Sequence, residues 1–288
     1  MTDVCVLPPG NVSSGSGINS GGTICGYSYV AEGGNAPHAF LANSALVLTD
    51  LGTGDDFSAA FDINDHGLVT GQASLSDFHA CLWTSTGIRD IGTLGGNRSV
   101  GRSINESGQV AGESEIDNRD VTRAFRFTED QGMISLGTLG GVNSSAYGIN
   151  NSGQVVGESD VGPSPNLQLR SRFTDFSLFG THAFLWTEGI GMRDLDHLGG
   201  GTSRATPINN KGLVVGSSRL INGAFHAFRW THTKGMIDLN NLLPLFSGWV
   251  LIGANGVNDS GQITGWGLHN GVERAFRLDP PTIVIKSD

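Results

Sequence analysis

The chain has 288 residues, of which 44 are glycine, and its formal net charge at pH 7 is -10. Because like charges repel, such an acidic chain is a poor match for a nucleic-acid backbone or an anionic membrane surface, and we expect neither as a partner. Its apolar runs are far shorter than the roughly 20 residues of a membrane-spanning helix, so we expect no membrane insertion. The opening residues, MTDVCVLPPG, lack the basic and apolar stretches of a secretory signal.

The cysteines and the oxygen-rich turns bear on metal binding. Cys5, Cys25 and Cys81 are odd in number and widely spaced, which indicates neither a disulfide framework nor a zinc site, so we expect buried free thiols. The turns contain asparagine and aspartate but lack the number of carboxylates of a dedicated calcium loop. The sequence therefore predicts no metal and no cofactor.

Six copies of one pattern cover nearly the whole chain, and each copy contains a hydrophobic residue followed by asparagine. The six pairs are Ile18-Asn19, Ile63-Asn64, Ile104-Asn105, Ile149-Asn150, Ile208-Asn209 and Val257-Asn258. A repeat of roughly 40 to 60 residues built from short strands is typical of a solenoid or a propeller, in which each unit buries its apolar faces against its neighbours. Because no linker interrupts the copies, we expect a single domain over residues 1–288.

The N-terminal residues form the first predicted strand. Residues 3–7 (Asp-Val-Cys-Val-Leu) align with residues 90–94, which end the second repeat unit. The six units lack one strand in total, and we expect residues 4–7 to supply it beside residues 274–278. Such a circular closure would remove the exposed edges of an open array. The tail residues 283–285 (Ile-Val-Ile) are a rival for the same place.

The third unit shows the predicted plan of each copy. Four short strands, separated by turn residues, are predicted at 100–105, 109–114, 123–127 and 133–138. Four strands are the number in a propeller blade. The predicted fold class is therefore all-β: a six-bladed β-propeller with four-stranded blades, in which the N-terminal strand closes the last blade.

The turn between the first two strands of a unit has the form Asn-x-x-Gly, as in residues 105–108. Asparagine can bond its own backbone and glycine can adopt a positive φ, so the pattern predicts a tight hairpin.

The third strand of each unit opens with the triplet His-Ala-Phe or a variant of it. The triplets begin at His38, His79, Arg123, His182, His226 and Arg274. Four histidines at one repeat position could form a ring of metal ligands, but histidines one unit apart lie too far from each other to share an ion. We therefore expect a packing or hydrogen-bonding role for them, and a core position for the aromatic residue that ends each triplet.

These triplets, the Leu-Gly-Thr-Leu-Gly-Gly segments and the Gly-Ile-Asn-x-x-Gly-Gln-Val-Val-Gly-Glu-Ser motif resemble the HAF family of extracellular bacterial repeats, over residues 3 to 278. The resemblance implies a secreted or cell-surface location and carries no general enzymatic activity. The chain departs from the pattern at Cys81, which replaces phenylalanine, at Arg123 and Arg274, which replace histidine, and at residues 195–198.

Positions that vary between units indicate where a ligand could bind, because binding groups usually lie on variable parts of a rigid scaffold. One variable set lies two residues before the recurring Ile or Val and comprises Ser16, Phe61, Arg102, Tyr147, Thr206 and Asn255. With Glu113 and Glu158, which follow the glycine of the second strand, Arg102 and Tyr147 could perform acid-base chemistry on a sugar or a lactone. The alternative is that Glu113 is solvated or neutralised by Arg102.

Two irregular segments of the fourth and fifth units add candidates. His197 follows Asp196 where other units have Gly-Thr, and Arg204 lies in the next predicted loop. In a strand, adjacent side chains point to opposite faces, so Asp196 and His197 cannot form a dyad. His197 could instead meet a residue of the neighbouring loop or make a structural hydrogen bond.

The longest insertion, residues 160–181, separates the second and third strands of the fourth unit. It carries Arg170, Arg172 and Phe176, which could clamp an anionic carbohydrate or a protein partner, since arginine binds carboxylates in a bidentate manner. The alternative is that its phenylalanines pack back onto the protein.

The sequence leaves two hypotheses of function. The leading one is a non-enzymatic recognition module of extracellular type, and we expect a monomer that binds carbohydrate or a protein partner. Its ligand-binding residues would be Arg102, Arg170, Arg172, Phe176 and Arg204. The alternative is a lyase or hydrolase acting on a saccharide or a lactone. Its catalytic residues would be Glu113, Glu158, Tyr147 and His197.

Overall fold

The computed structural model describes residues 4, 6–10, 12–30, 36–52, 56–75, 77–117, 121–162 and 180–280. Within these ranges the chain consists of strands and turns, apart from a short 3-10 helix at Leu239–Leu242. The 23 strands form six antiparallel sheets, and within each sheet the strands follow one another in sequence order. The all-β class and the division into six sheets agree with the sequence prediction.

The first three sheets have four strands each. Sheet one contains β1 (Ser13–Ile18), β2 (Ile24–Tyr29), β3 (Pro37–Ala42) and β4 (Leu48–Asp50). Sheet two contains β5 (Ser58–Ile63), β6 (Val69–Ser74), β7 (Phe78–Thr84) and β8 (Gly87–Asp90). Sheet three contains β9 (Ser99–Ile104), β10 (Val110–Glu115), β11 (Thr122–Thr128) and β12 (Gly132–Ser135).

The last three sheets have four, four and three strands. Sheet four contains β13 (Gly140–Ile149), β14 (Val155–Val161), β15 (Thr181–Thr187) and β16 (Gly191–Asp194). Sheet five contains β17 (Gly199–Ile208), β18 (Val214–Leu220), β19 (Phe225–Thr231) and β20 (Gly235–Asp238). Sheet six contains β21 (Trp249–Val257), β22 (Ile263–His269) and β23 (Val272–Leu278).

The chain divides into two compact units. The first comprises residues 1–138, 142–155 and 186–192, and the second comprises residues 139–141, 156–185 and 193–288. The first unit contains three clusters of buried apolar residues and the second contains two. The single domain over residues 1–288 stays a prediction.

A phenylalanine and a glycine on neighbouring strands form the repeated element of these cores. The last residue of the triplet lies opposite the glycine that recurs in the second strand of each repeat. The pairs are Gly26–Phe40, Gly112–Phe125, Gly216–Phe228 and Gly265–Phe276. Each ring reaches within 3.0 Å of the place where a Cβ on that glycine would lie. Phe40, Phe125, Phe184 and Phe228 are completely buried, which confirms the predicted core position.

The Asn-x-x-Gly turns have the predicted chemistry and one further contact. The Asn64 side-chain oxygen accepts hydrogen bonds from the amides of His66 and Leu68, at 3.1 and 2.9 Å, and Gly67 has a φ of +78°. The Asn64 side-chain amide donates to the carbonyl of Asn105, at 3.0 Å. The same bond recurs from Asn19 to Asn64, from Asn105 to Asn150 and, in the second unit, from Asn209 to Asn258. The turn asparagine therefore also joins successive repeats.

A buried serine joins successive sheets at another repeated position, which the sequence analysis missed. Ser99 accepts a hydrogen bond from the amide of Ala80 at 2.8 Å and donates to the carbonyl of Gly92 at 2.6 Å. Ser58, Ser144 and Ser203 accept the same bond from Ala39, Ala124 and Ala183. Each of these serines lies five residues before an Ile-Asn pair, and that recurrence is the signal by which the sequence could have shown them.

The triplet histidines have the hydrogen-bonding role that the sequence predicted. Each places Nδ1 within 2.7 to 3.0 Å of an aspartate on the fourth strand, in the pairs His38–Asp50, His79–Asp90, His182–Asp194 and His226–Asp238. Burial raises the pKa of the Asp194 carboxyl, whereas the hydrogen bond from His182 lowers it. The net result is a pKa below the ordinary value of aspartate. The four His–Asp pairs are separate from one another and lie in sheets one, two, four and five.

The fourth strand of sheet three is shorter than the sequence predicted. The predicted strand at 133–138 ends at Ser135, because Gly137 has a φ of +77° and turns the chain out of the sheet. The predicted strands at 100–105, 109–114 and 123–127 are confirmed with boundaries that shift by one residue.

The predicted four-stranded plan is confirmed for five sheets, whereas sheet six has three strands within the described residues. The alignment of the N-terminal residues with 90–94 is supported at Leu7: its amide donates to the Ser28 hydroxyl at 3.0 Å, as the amide of Leu94 donates to Ser114 at 2.8 Å. No strand is assigned to residues 4, 6 and 7. Residues 1–3 and 5, and the tail residues 283–285, lie outside the described residues, so the closure of the last sheet stays a prediction.

Candidate functional site

A cavity with a polar wall lies in the first unit and has a volume of about 610 Å³. Its polar lining includes Gln72, Arg98, Arg102, Glu113, Glu115 and Asn143. These side chains come from β6, from β9 and the loop before it, from β10 and from β13. Two of them, Arg102 and Glu113, are residues that the sequence analysis had singled out.

A β-bulge places Arg102 on the cavity wall. In sheet three Gly101 pairs with Gly112 and Ser103 pairs with Ala111, so Arg102 is an extra residue without a partner in the ladder. Bulges re-aim side chains and are over-represented next to active sites. The first strands of other sheets have the same irregularity at Ser16, Phe61, Thr206 and Asn255. The variable positions of the sequence are thus bulge residues, which the ladder does not constrain.

Arg102 and Glu113 form an ion pair, which agrees with the alternative that the sequence analysis gave for Glu113, and the catalytic role of both residues stays a prediction. Arg102 Nη2 donates to Glu113 Oε1 at 2.5 Å, and the guanidinium carbon lies 5.5 Å from the centroid of the Phe61 ring. The Glu113 side chain is 20% exposed. Arg102 Nε is buried and has no hydrogen-bond partner among the described residues. The wall therefore presents a carboxylate beside a guanidinium that retains a donor.

Further polar groups of the cavity are held by the backbone. The Gln72 amide nitrogen donates to the carbonyl of Ser99 at 3.0 Å. The Asn143 side-chain oxygen accepts a hydrogen bond from the amide of Thr122 at 3.1 Å, and a Glu115 carboxylate oxygen accepts one from the amide of Asn97 at 3.2 Å. These bonds fix the orientation of the side chains, so the polar wall is largely preformed.

Arg98 lies on the same wall and was missed by the sequence analysis. Its guanidinium carbon lies 5.1 Å from the centroid of the Phe78 ring, and Phe78 contacts Phe57 edge to face at 5.5 Å. Arg98 is the last residue of the loop between β8 and β9, directly before the buried Ser99. The corresponding residues before Ser144 and Ser203 are Asn143 and Thr202, so the position recurs in the repeats but its residue type does not.

His197 has a structural role in a turn, and the strand that the sequence predicted there is wrong. His197 lies after β16, and its Nδ1 accepts a hydrogen bond from the amide of Gly199 at 2.8 Å. In the second repeat the hydroxyl of Thr93 accepts the equivalent bond from Gly95, at 3.2 Å. Because residue 196 turns the chain, His197 Nε2 comes within 3.8 Å of an Asp196 oxygen rather than pointing to the opposite face. The His197 ring also packs edge to face on His182, at 4.9 Å.

The backbone at Asp196 gives a test of this turn. Asp196 has a φ of +68°, whereas Gly92 and Gly137 occupy the same turn position in other repeats with φ values of +79° and +77°. An L-residue pays about 1 kcal/mol in this region and glycine does not. We therefore expect Asp196→Ala to be less stable than Asp196→Gly by about 1 kcal/mol in urea unfolding. Equal stability of the two variants would contradict the assigned turn.

The other candidates lie on three strands of the two units. Tyr147 is half-buried on β13 in the first unit, whereas Glu158, half-buried on β14, and Arg204, exposed on β17, belong to the second. Their predicted roles stay predictions. Arg170, Arg172 and Phe176 lie outside the described residues.

Metal ligands, membrane-spanning helices and cysteines are considered together for the described ranges. No group of three or more His, Cys, Asp or Glu side chains in these ranges has the geometry of a metal site. No helix in the described part of the chain is long and apolar enough to cross a bilayer. The described cysteines, Cys25 and Cys81, are buried and free, as the sequence predicted, and burial raises the pKa of the Cys25 thiol to about 12.

Comparisons with known proteins show the fold. No family model and no curated protein sequence matches the chain. TolB from Acinetobacter baumannii is similar in structure with a TM-score of 0.50 and 9% identity, and the match covers 89% of this chain and 61% of TolB. A puromycin hydrolase mutant in complex with PGG has a TM-score of 0.53 and 13% identity, over 94% of this chain and 44% of the hydrolase.

A gluconolactonase from Xanthomonas campestris has a TM-score of 0.45 and 7% identity, over 93% of this chain and 87% of that enzyme. The chain thus spans less than two thirds of the length of TolB and of the puromycin hydrolase. At such low identity the likeness shows the fold alone, and the HAF resemblance stays a prediction. Together with the six antiparallel sheets, the similarity to TolB and the puromycin hydrolase shows an all-β fold of the β-propeller type.

Proposed function

We propose that the cavity of the first unit binds a saccharide or a sugar lactone and that the protein hydrolyses it. The observation that carries the proposal is the ion pair of Arg102 and Glu113 on the cavity wall, with a donor of Arg102 left unpaired. The cavity volume of about 610 Å³ lies in the usual range of small-molecule sites. The preformed hydroxyl and amide groups of the wall suit a ligand with many hydroxyl groups.

The pair offers both functions that lactone hydrolysis needs. Glu113 acts as the general base and takes a proton from a water molecule, whose oxygen bonds to the lactone carbonyl carbon. The guanidinium of Arg102 stabilises the negative charge that develops on the carbonyl oxygen. The ring C–O bond then breaks, the ring oxygen takes up the proton, and the product is a hydroxy acid.

The comparisons fit this enzymatic hypothesis better than the leading hypothesis of the sequence analysis. The puromycin hydrolase is an enzyme by its name. Since this likeness carries the fold alone, the choice of ligand rests on the cavity.

A recognition module without turnover is the second candidate. The observation that favours it is the short contact of Glu113 with Arg102, because a carboxylate already neutralised by arginine is also typical of a structural ion pair. In this case the same cavity would retain the ligand unchanged, and the secreted or cell-surface location implied by the sequence resemblance would fit such a role.

The test is turnover of a panel of neutral and acidic oligosaccharides and sugar lactones, followed by mass spectrometry. We expect product masses that contain one added water, and we expect Glu113→Gln to lower the rate by at least about 100-fold, since removing a general base typically has this effect. Glu129→Gln is the matched control, because Glu129 also pairs with an arginine, Arg89, but does not line the cavity. We expect its rate to equal that of the wild type.

The two candidates give different results in this experiment. Ligands that are retained by the wild-type protein without new masses, and lost in Arg102→Ala, would support recognition and rule out hydrolysis. Equal rates in Glu113→Gln and Glu129→Gln would contradict the assignment of Glu113 as the base.

A further inference from the structure

We infer that the ligand of this cavity carries a carboxylate, as an acidic saccharide does, and that Arg98 binds that carboxylate. The inference rests on the proposed binding function and adds the charge of the ligand to it. It concerns a residue that neither the repeat pattern nor the Arg102–Glu113 pair had indicated.

Arg98 is held in place by contacts that leave its hydrogen-bond donors unused. The Phe78 ring supports the guanidinium from one side, with 5.1 Å between the guanidinium carbon and the ring centroid. Phe57 supports Phe78 in turn. The backbone of Arg98 is fixed as well, because its carbonyl accepts a hydrogen bond from the amide of Glu115 at 2.9 Å. A guanidinium stacked on an aromatic ring has a defined plane, which favours planar partners.

The donors of Arg98 differ from those of the other described arginines of the first unit. Arg89 is paired with Glu129, Arg102 with Glu113 and Arg126 with Glu188. The Arg123 guanidinium donates to the backbone carbonyls of Thr122 and Val142. Within the ranges that the structure describes, the guanidinium of Arg98 makes neither a hydrogen bond nor an ion pair. A stacked guanidinium with free N–H groups on a cavity wall matches the bidentate geometry of a carboxylate.

The charges around Arg98 define where an acidic group can lie. Glu113 is already paired with Arg102. Among the described residues of the wall, Glu115 is the acidic side chain without an ion-pair partner, and its carboxylate accepts a hydrogen bond from the amide of Asn97. A ligand carboxylate is attracted to Arg98 and repelled by Glu115. The two residues therefore have opposite effects on an acidic ligand and little effect on a neutral one.

The experiment compares oligosaccharides of uronic acids with their methyl esters, on a glycan array and then by calorimetry at low ionic strength. We expect the wild-type protein to bind an acidic oligosaccharide at least about 10-fold more tightly than its ester, given the usual strength of charged hydrogen bonds. Arg98→Gln should abolish this preference, because it should lower the affinity for the acid more than the affinity for the ester. Arg98→Lys should keep part of the preference, because lysine retains the charge but not the fork.

Glu115→Gln is the opposing variant, and we expect it to increase the preference for the acid over the ester by about 3-fold. Acid and ester bound equally by the wild type, or a preference that survives in Arg98→Gln, would overturn the inference and leave the proposed function standing. Absence of binding to every acidic and neutral member of the array would overturn the proposed function itself.

Discussion

Gly112→Ala is expected to destabilise the protein by more than about 3 kcal/mol, which is at the upper end of the cost of overfilling a core. An added Cβ would overlap the carbonyl oxygen of Val100 and would lie 2.9 Å from two atoms of the Phe125 ring. Neither the strand carbonyl nor the fully buried ring has room to move. The effect is measured as the loss of free energy of unfolding in urea. Failure of part of the variant protein to fold would also agree with this expectation.

Gly15→Ala is the matched control for Gly112→Ala. Gly15 also lies in a strand of the first unit, but the nearest atom to its added Cβ is a methyl carbon of Ile24 at 3.5 Å, an ordinary contact. Alanine costs less chain entropy on folding than glycine, so we expect this variant to stay within about 1 kcal/mol of the wild type. If both variants had the same stability, the close packing of Phe125 on Gly112 could not be the reason for the repeated glycine.

The repeat pattern allowed the packing of the sheets to be predicted, because the same local physics occurs six times. Asn64 and Gly67 determine a turn by their own side-chain hydrogen bonds and φ preference, and these need no knowledge of the distant chain. The burial of Phe125 follows from the recurrence of an aromatic residue at the end of the triplet, although burial in this strand does not alternate and covers residues 124–127. What the pattern does not contain is the register between strands, on which the partners of a side chain depend.

The ion pairs show this limit. His79 and Asp90 are eleven residues apart, and their pairing depends on the register of β7 and β8, which the hairpin fixes only in the folded sheet. Their joint replacement in the third repeat, by Arg123 and Ser135, is the signal that could have shown the pair. Arg98 had no comparable signal, because the residue before the repeated serine differs from one repeat to the next.

Arg126→Ala is expected to lower the free energy of unfolding by about 3 kcal/mol, within the range for truncating a large buried side chain. Arg126 is 2% exposed, and its guanidinium lies 4.9 Å from the centroid of the Trp186 ring. Its two Nη atoms donate to the two oxygens of Glu188, each at 3.1 Å, and Nη2 also donates to Gln131. Alanine would leave the space beside Trp186 empty, and urea unfolding measures the loss.

Arg126→Met distinguishes the contribution of packing to stability from the contribution of the ion pair. Leucine occupies the same triplet-following position in other repeats, at Leu41, Leu82 and Leu185, so the site accepts an apolar side chain. We expect Arg126→Met to lose less than half as much stability as Arg126→Ala, because methionine refills the volume. Equal losses in the two variants would show that the ion pair, and not the packing on Trp186, determines the stability.

The pH dependence of the same variants identifies the part that the ion pair contributes. Hydrogen bonds from Arg126 lower the pKa of the Glu188 carboxyl below its ordinary value. A carboxyl whose pKa is lower in the folded than in the unfolded state stabilises the protein above its unfolded pKa, and this stabilisation is lost as the pH falls through the folded value. Below about pH 4.3, the ordinary pKa of glutamate, the wild type should therefore lose stability more steeply than Arg126→Met. Parallel pH profiles would contradict an energetic role for the pair, since in Arg126→Met the Glu188 carboxylate has lost both hydrogen bonds from the guanidinium.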